Sequence, residues 1–490
     1  MSYSYAILSR ALLPEITLVA GALLALAYDL IFGRRYALNE RCSATLWIGA
    51  TALVAAIIDT ASVGALGPVY GNTLMLDQLA VATRIGVLSL ALLTLGVAAG
   101  AKPARHPAEY VAIILFATTG FTLMAASNHL LIAFVALELA SLSLYILTGF
   151  DKERRESAEA ALKYFLFGGM ATAFLLFGFS LIYGVTGELD LSRISFVLSH
   201  TSRSPLLTLA LVMVLVAFGF KAAAAPFHLW APDAYQGAPT PSAALIASAS
   251  KLAGFTLFLR LLWPGLGVLS GDVAVEGNTG GWLTIVALLA GASLLLGNFA
   301  ALAQTNVRRL LAYSAIAHTG VMLIGVIAAG VSGAGPLFYY LATYGVATAG
   351  AFGVIAVLES NGGCQKIADL AGLSRRSPLL AGCLTVFILS LAGIPPLAGF
   401  FGKFAVFAAA LKLGGVAGPA GWLTMLAIAL SAVALYYYLI VLKQAIVASP
   451  KSEHSGRIQV PAAAAITLMV SAGIIIALGL FPSLLLGIFR

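Results

Sequence analysis

Apolar stretches of about twenty residues follow one another along the whole chain, and only short polar loops separate them. A helix of that length crosses the hydrocarbon core of a bilayer, so each stretch predicts one membrane span. Only 9% of the residues are charged, far below the quarter that is usual in a soluble domain. The pattern predicts an all-α polytopic membrane protein with about fourteen transmembrane helices. These spans lie near residues 11–33, 43–66, 76–100, 110–126, 128–149, 158–184, 206–226, 240–262, 282–303, 310–331, 336–358, 380–411, 421–447 and 461–485.

The basic residues concentrate in the loops that follow odd-numbered spans. The loops 63–75, 263–281 and 332–335 carry no Lys or Arg, although 185–205 and 412–420 carry a few. Positive loops stay in the cytoplasm, so both termini are predicted on the periplasmic side and the number of spans is even. The net charge of +8 then reflects topology, and we expect no nucleic-acid partner. The basic residues after the odd-numbered spans are Arg34, Arg35, Arg41, Lys102, Arg105, Lys152, Arg154, Arg155, Arg308, Arg309, Lys366, Arg375, Arg376, Lys451 and Arg457.

The usual signatures of metal, nucleotide and redox sites are missing from the sequence. Cys42, Cys364 and Cys383 form neither a CxxC pair nor a metal-ligand spacing. No glycine-rich phosphate loop follows a strand pattern. We therefore expect no metal site and no cofactor bound by this chain. The first apolar stretch lacks a basic leader and a cleavage site, so it is interpreted as a retained span.

A few ionisable side chains lie inside the predicted spans. Placing one there costs at least roughly 2.5–3.5 kcal/mol, so such residues are the candidates for function. A single lysine can instead extend its charged end to the interface, but Lys251 lies near the middle of its span. Glu138 carries the only carboxylate deep in a predicted span, and it either neutralises a lysine or controls the proton affinity of that lysine. The five candidates, each in a different span, are Glu138, Lys221, Lys251, His318 and Lys403.

Prolines interrupt two of the spans that carry a lysine. Pro226 follows Lys221 in span seven, and the pair Pro395–Pro396 precedes Lys403 in span twelve. A broken helix persists in a membrane only where it lines a cavity or is buried in protein, and paired breaks mark the ion path of transporters. The two breaks are five spans apart. A repeat of five spans, an odd number, lies in the membrane with the opposite orientation to the repeat before it. The pattern predicts two inverted five-helix repeats, spans 4–8 and 9–13, with broken helices 7 and 12.

This reading divides the chain into four parts. Residues 1–109 hold three N-terminal spans, 110–262 the first repeat, 282–447 the second repeat, and 448–490 a C-terminal loop and the last span. His228 lies at the first break, where it either relays a proton or hydrogen-bonds the carbonyls that the break frees. Both roles stay open.

Four segments together resemble the antiporter-like membrane subunits of respiratory complex I (NADH:quinone oxidoreductase), which are similar to Mrp-type sodium/proton antiporter subunits. They are ALELASLSLYIL around Glu138, FKAAAAPFHLWAPDAYQGAPTPSAALIASASK from Phe220 to Lys251, RRLLAYSAIAHTG before and after His318, and GIPPLAGFFGKF around Lys403. The resemblance is strongest over residues 110–445. Lys403 and the short C-terminal end resemble the subunit N branch of that family.

The resemblance implies a role for each candidate. Glu138 would pair with Lys221, Lys221 and Lys251 would load and pass protons, His318 would bridge, and Lys403 would be the terminal site. It also implies a proton-translocating, non-redox subunit of a bacterial NADH:quinone oxidoreductase in the cell inner membrane. FMN, iron–sulfur clusters and the quinone site would belong to other subunits, and neighbouring antiporter-like subunits would be partners. The alternative is a stand-alone Mrp-like cation/proton antiporter subunit.

Overall fold

The structure, a computed structural model, describes residues 5–101, 104–202, 204–271, 280–413, 415–418, 420–449 and 456–489. The side chain of Arg34 is outside this description. Two of the basic loop residues named above, Lys102 and Lys451, also lie outside the described residues, as does Arg203 in the loop 185–205.

Helices make up nearly all of the described chain, and one short hairpin joins two of them. Strand β1 pairs antiparallel with β2, so that Gly67 lies opposite Leu76. The elements in chain order are α1 (Tyr5–Ala11), α2 (Leu13–Ile31), α3 (Leu38–Val63), β1 (Gly67–Val69), β2 (Leu74–Leu76), α4 (Gln78–Gly100), α5 (Pro107–Ala126), α6 (Leu130–Thr148), α7 (Arg155–Thr186), α8 (Leu191–Ser199), α9 (Pro205–Ala222), α10 (Trp230–Gly237), α11 (Thr240–Ala247), α12 (Ala249–Arg260), α13 (Trp282–Leu302), α14 (Val307–Ser332), α15 (Gly335–Ser360), α16 (Leu373–Arg376), α17 (Pro378–Ala392), α18 (Ala398–Leu411), α19 (Gly421–Leu442), α20 (Ala462–Leu480) and α21 (Ser483–Leu486).

The predicted spans correspond one by one to these helices. Within the described residues, 13 helices are long and apolar enough to cross a membrane. The remaining predicted span, the twelfth, near 380–411, is present as two shorter apolar helices, α17 and α18. The prediction of an all-α membrane protein with about fourteen spans is confirmed. The numbering of the two repeats and the four-part division of the chain remain predictions.

The two broken spans are built in the same way. Each begins with a serine followed by proline, Ser204 before α9 and Ser377 before α17, and each serine hydroxyl accepts a backbone N–H of the first turn. Each first half ends in a left-handed residue, Ala223 at φ 57° and Gly393 at φ 87°. A cis X-Pro bond follows in both. This shared construction supports the predicted repeat.

Three central helical segments form the core of the bundle. Within the most apolar 18 residues of each segment, the share of residues that is buried is 100% for Thr240–Gly265, 94% for α14 and 89% for α15. The same share is only 33% for α3, α7 and α20. The outer helices therefore present apolar side chains to lipid or to neighbouring proteins, whereas the central ones face only protein. Lys251 and His318 lie on the central segments.

The eighth span is also interrupted, which the sequence does not predict. It is predicted as one helix over 240–262, but α11 ends at Ala247 and α12 begins at Ala249. Ser248 between them has φ −114° and ψ −84°, outside the helical range. Lys251 therefore lies in the first turn of α12, where helical N–H groups lack carbonyl partners within the helix.

Candidate functional site

Lys221 is buried in the last turn of α9, next to the break. Its ammonium Nζ donates to the Ser141 hydroxyl at 3.2 Å. Glu138, one turn earlier on α6, is partly exposed, and its carboxylate accepts from the Thr172 hydroxyl at 2.6 Å. The two charges interact electrostatically, but among the described groups they are not within the 4.0 Å of an ion pair. Each charge is instead held by a hydroxyl.

A small cavity connects Lys221 to Lys251. Its volume is about 10 Å³, close to the space that one water molecule needs. Both lysines line it, and the rest of its wall is apolar, with Phe218 and Phe255 among the lining residues. A Cβ at Gly254 would lie 3.5 Å from Lys221 Cγ, an ordinary van der Waals distance, so Lys221 packs directly over this position.

Lys251 is held from the neighbouring helix α14. Its Nζ donates to the carbonyl of Ala315 at 2.7 Å and to the hydroxyl of Thr319 at 2.6 Å. The Thr319 hydroxyl in turn lies 2.9 Å from two carbonyl oxygens that share its one proton, that of Ala222 at the free end of α9 and that of Ala315 on α14 itself. Thr319 therefore joins Lys251 to the broken end of the helix that carries Lys221.

Aromatic residues separate Lys251 from His318. Lys251 Nζ lies 5.6 Å from the ring centre of Tyr344, and the ring of His318 lies 4.9 Å from the same tyrosine. His318 is buried, with Nδ1 2.6 Å from the Tyr340 hydroxyl and Nε2 3.1 Å from the Tyr438 hydroxyl. Both ring nitrogens therefore have hydroxyl partners, which can donate or accept a proton.

Lys403 lies on the far side of His318, in the first turns of α18. Its Nζ donates to the carbonyl of Ala392 at 3.0 Å, the last residue of α17. A second cavity, of about 20 Å³, is lined by both His318 and Lys403, together with polar Asn298 and Ser431. Lys221 and Lys403 thus both lie beside a break and line a small cavity, but Lys221 is in the helix before its break and Lys403 in the helix after it.

The structure therefore places four of the predicted residues, Lys221, Lys251, His318 and Lys403, in one buried series through the bundle. Glu138 stands beside Lys221 at its outer end. His228 is also buried, but neither cavity includes it, and its Nδ1 has no partner among the described groups. The residues that sequence reasoning missed are the hydroxyl partners Ser141, Thr172, Thr319, Tyr340 and Tyr438, and the aromatic spacer Tyr344.

A larger cavity, of about 540 Å³, opens among the loops that follow spans one, three, five, seven and eleven. Its wall includes Tyr110, whose hydroxyl lies 2.9 Å from that of Ser242 on α11. Arg308 and Glu359 also line it, 3.4 Å apart as an ion pair. Burial raises the pKa of the Cys364 thiol in the same wall to about 12, so this thiol stays protonated.

The described residues contain no group of three or more His, Cys, Asp or Glu side chains arranged to hold a metal ion. The chemistry available along the series is proton binding and release by lysine, histidine and hydroxyl groups. Residues 127–433 match the family model described as "NADH:quinone oxidoreductase/Mrp antiporter, TM". The chain belongs to this family.

Relatives with curated names agree with this membership. The chain is 47% identical over 99% of its length to "NADH-quinone oxidoreductase subunit N 2" of Acidobacterium capsulatum, of which it covers 98%. It is 38% identical over 96% of its length to "NADH-quinone oxidoreductase subunit N 1" of Solibacter usitatus, covering 94% of that protein.

Solved structures share the fold. A chain of respiratory complex I from Thermus thermophilus, solved with bound aureothin, superimposes with a TM-score of 0.79 at 33% identity, covering 97% of this chain and 98% of the other. A chain of the Mrp complex from Dietzia superimposes with a TM-score of 0.80 at 23% identity, covering 98% and 96%. At that lower identity the second likeness establishes the fold alone.

Proposed function

We propose that this chain is the subunit N component of a bacterial NADH:quinone oxidoreductase, where it moves protons across the membrane. The observation that carries the proposal is the buried series from Lys221 through Lys251 and His318 to Lys403, with water-sized cavities at both ends. The named relatives, which match almost end to end, support the choice of complex.

In the proposed mechanism, redox work in other subunits changes the charge near Glu138. Glu138 then changes its electrostatic hold on Lys221, which accepts or releases a proton. The proton passes through the cavity to Lys251, next along His318 and its tyrosine hydroxyls, and on to Lys403. The hydroxyl partners suit this task because Ser, Thr and Tyr both donate and accept hydrogen bonds.

The large cavity supports a direction for uptake. It opens among loops that follow odd-numbered spans, and their basic residues predict the cytoplasmic side. Its wall includes Thr240 and Pro241 at the start of α11, the first half of the span that carries Lys251. We infer that protons are taken up here and that both chain termini face the periplasm.

The proposal assigns no redox chemistry to this chain. Flavin, iron–sulfur clusters and the quinone site would belong to other subunits, and this chain would supply only the proton path. Its partners would be the other membrane subunits of the complex, particularly antiporter-like neighbours. Partly exposed Glu138 suits contact with such a neighbour, because a charge at the lipid-facing surface is otherwise costly.

The test is to purify a tagged chain from its own membranes in mild detergent and assay NADH:quinone activity. We expect the activity and several further subunits to copurify with the chain. The rival function, a stand-alone cation/proton antiporter, is supported by the matching family model, whose description also names the Mrp antiporter. Isolation of the chain alone, or with antiporter-like subunits and no NADH oxidation, would decide for that rival.

A further inference from the structure

The second half of span seven, α10, is too short to be stable by itself. It has eight residues, whereas isolated helices shorter than about 12–15 residues are marginal in water. Contacts with other helices must therefore fix its position. On one side α7 supplies them: the ring of Tyr164 stacks on Trp230 with centres 4.1 Å apart, and a Cβ at Gly237 would lie 2.5 Å from Ala160 Cβ.

The other side of α10 is held from the predicted second repeat. Arg309, near the start of α14, donates from NH1 to Asp233 Oδ1 at 2.6 Å and to Gln236 Oε1 at 3.1 Å. Its neighbour Arg308 donates to the carbonyl of Ala238, just after α10, at 3.0 Å. Two successive arginines of α14 thus hold the side chains and the C-terminal end of α10.

Asp233 is the shared centre of this arrangement. Its second oxygen, Oδ2, lies 2.8 Å from Lys163 Nζ on α7, and Lys163 also pairs with Glu159 at 2.7 Å. The Asp233 carboxylate thus forms one ion pair with Lys163 of the first predicted repeat and one with Arg309 of the second. We name Asp233, Lys163, Arg309 and Glu159 the α10 clamp. Its two carboxylates and two cations balance in charge, so removing one carboxylate leaves two like charges facing each other.

The same helix α14 also touches the other side of the break. The Thr319 hydroxyl lies 2.9 Å from the carbonyl oxygen of Ala222, the last residue of α9, and accepts from Lys251. Arg309 and Thr319 are ten residues apart, which is roughly 15 Å along a helix. One helix thus contacts α10 near its first turn and, at its middle, contacts Lys251 and the carbonyl end of α9.

We propose that the α10 clamp is a positioning device for proton transfer: Asp233 ties α10 to α14, whose Thr319 contacts the end of α9, and α14 so fixes the alignment of Lys221 with Lys251. Asp233 touches neither lysine of the cavity, so it acts through the helices and not as a proton carrier. This inference rests on the proposed function and adds to it a contact by which the second repeat controls the first.

The test is Asp233→Asn in the intact complex, in native membranes. Glu188→Gln is the matched control, because Glu188 also pairs with an arginine, Arg193 at 3.4 Å, and is similarly exposed (31% against 26%). We expect normal assembly and a loss of NADH-driven proton translocation of about two- to tenfold, as is usual for residues that transmit coupling. Glu188→Gln should pump normally.

Two further measurements separate positioning from general weakening of the fold. Asp233→Glu, which keeps the charge, should restore most of the pumping. As a single variant, Arg309→Gln should lower pumping. Combined with Asp233→Asn it should lower pumping little further, because both substitutions remove the same contact. Additive losses, or no rescue by Asp233→Glu, would overturn the clamp.

Failure of the clamp is distinguishable from failure of the proposed function. If Asp233→Asn pumps normally while Lys221→Ala does not, the clamp is wrong and the proton path stands. If Lys221→Ala also pumps normally, the proposed function itself is wrong. Should Asp233→Asn fail to assemble, Arg309→Lys replaces it: the charge remains and the paired contact with Asp233 and Gln236 is lost. Pumping should then fall, and unchanged pumping would refute the clamp.

Discussion

At the scale of single residues, the buried charges are each satisfied by a different kind of partner. Lys221 uses a hydroxyl, Lys251 a carbonyl and a hydroxyl, and Lys403 a carbonyl. None of the three has a carboxylate within ion-pairing distance in the described part of the chain. A lysine that contacts only neutral groups can lose its proton without leaving a carboxylate charge unpaired. This property suits a residue that carries protons.

A buried ion pair elsewhere has the opposite, structural character. Arg84 and Glu15 are paired at 2.8 Å, with side chains only 1% and 7% exposed. Arg84 also donates to the carbonyls of Ala11 and Thr122, so it joins α4 to three other helices, α1, α2 and α5. Arginine stays charged, and this pair therefore fixes helices in place without changing its charge during turnover.

Glu15→Gln should destabilise the chain, because it leaves the Arg84 charge buried without its counter-ion. Breaking such a pair costs about 3–5 kcal/mol. The measurement is the temperature at which the detergent-purified complex loses this subunit. Glu40→Gln, on the exposed start of α3, is the control and should not change that temperature. Equal behaviour of the two variants would show that the pair contributes nothing.

The candidate lysines could be predicted from the sequence because charge inside an apolar span is costly in any fold. Their partners could not. Ser141, Thr319 and Tyr344 are ordinary span residues until the tertiary packing brings them to Lys221 and Lys251. The separation of Glu138 from Lys221 is likewise a matter of side-chain geometry, which no spacing rule reveals.

At the scale of elements, the interruptions of spans seven and twelve follow from proline, which has no N–H to donate. Both breaks were predictable for that reason. The break at Ser248 was not, because no glycine or proline lies there and the neighbouring residues suit a helix. It depends on packing: α11 and α12 are buried on all sides, so neighbouring helices decide their path.

The two halves of span twelve pack so closely that one position requires glycine. A Cβ on Gly399, at the start of α18, would lie 1.8 Å from the carbonyl oxygen of Ser390 on α17. That contact is far shorter than any real one, and backbone cannot move away easily. The Gly399 N–H also donates to the Ser390 hydroxyl at 3.1 Å, which holds the two halves together.

Gly399→Ala should therefore reduce the amount of assembled subunit in the membrane. Overpacking typically costs 1–3 kcal/mol, and losses of about that size lower protein abundance several-fold. Quantitative immunoblotting of the isolated complex measures the effect. Gly382→Ala on α17 is the matched control, since a Cβ there meets nothing within 4 Å. Normal abundance of Gly399→Ala would contradict the packing described.

At the scale of the whole molecule, the functional groups run through the bundle and not across a single helix. Span eight supplies Lys251, span ten supplies His318 and Thr319, and span twelve supplies Lys403. These spans belong to both predicted repeats, so the series joins the repeats at α14. The order of groups along the series predicts how combined variants behave.

Lys221 and Lys251 should act in series. If one path passes through both, Lys221→Ala/Lys251→Ala should pump no less than the more severe of its single variants, because a path interrupted once is already interrupted. The measurement is NADH-driven acidification of inverted membrane vesicles, normalised to the amount of assembled complex. Losses that multiply would indicate two parallel paths and would contradict a single series.

The measurement that tests the account most directly is proton translocation by the complex carrying Lys251→Ala, reconstituted in vesicles and normalised to assembled subunit. Lys412→Ala, an exposed lysine after α18, is the control. Losing an essential proton-transfer group should lower translocation at least about tenfold, while Lys412→Ala should leave it unchanged. Undiminished proton translocation by Lys251→Ala, with the subunit present, would contradict the claim that protons cross this chain through its buried lysines.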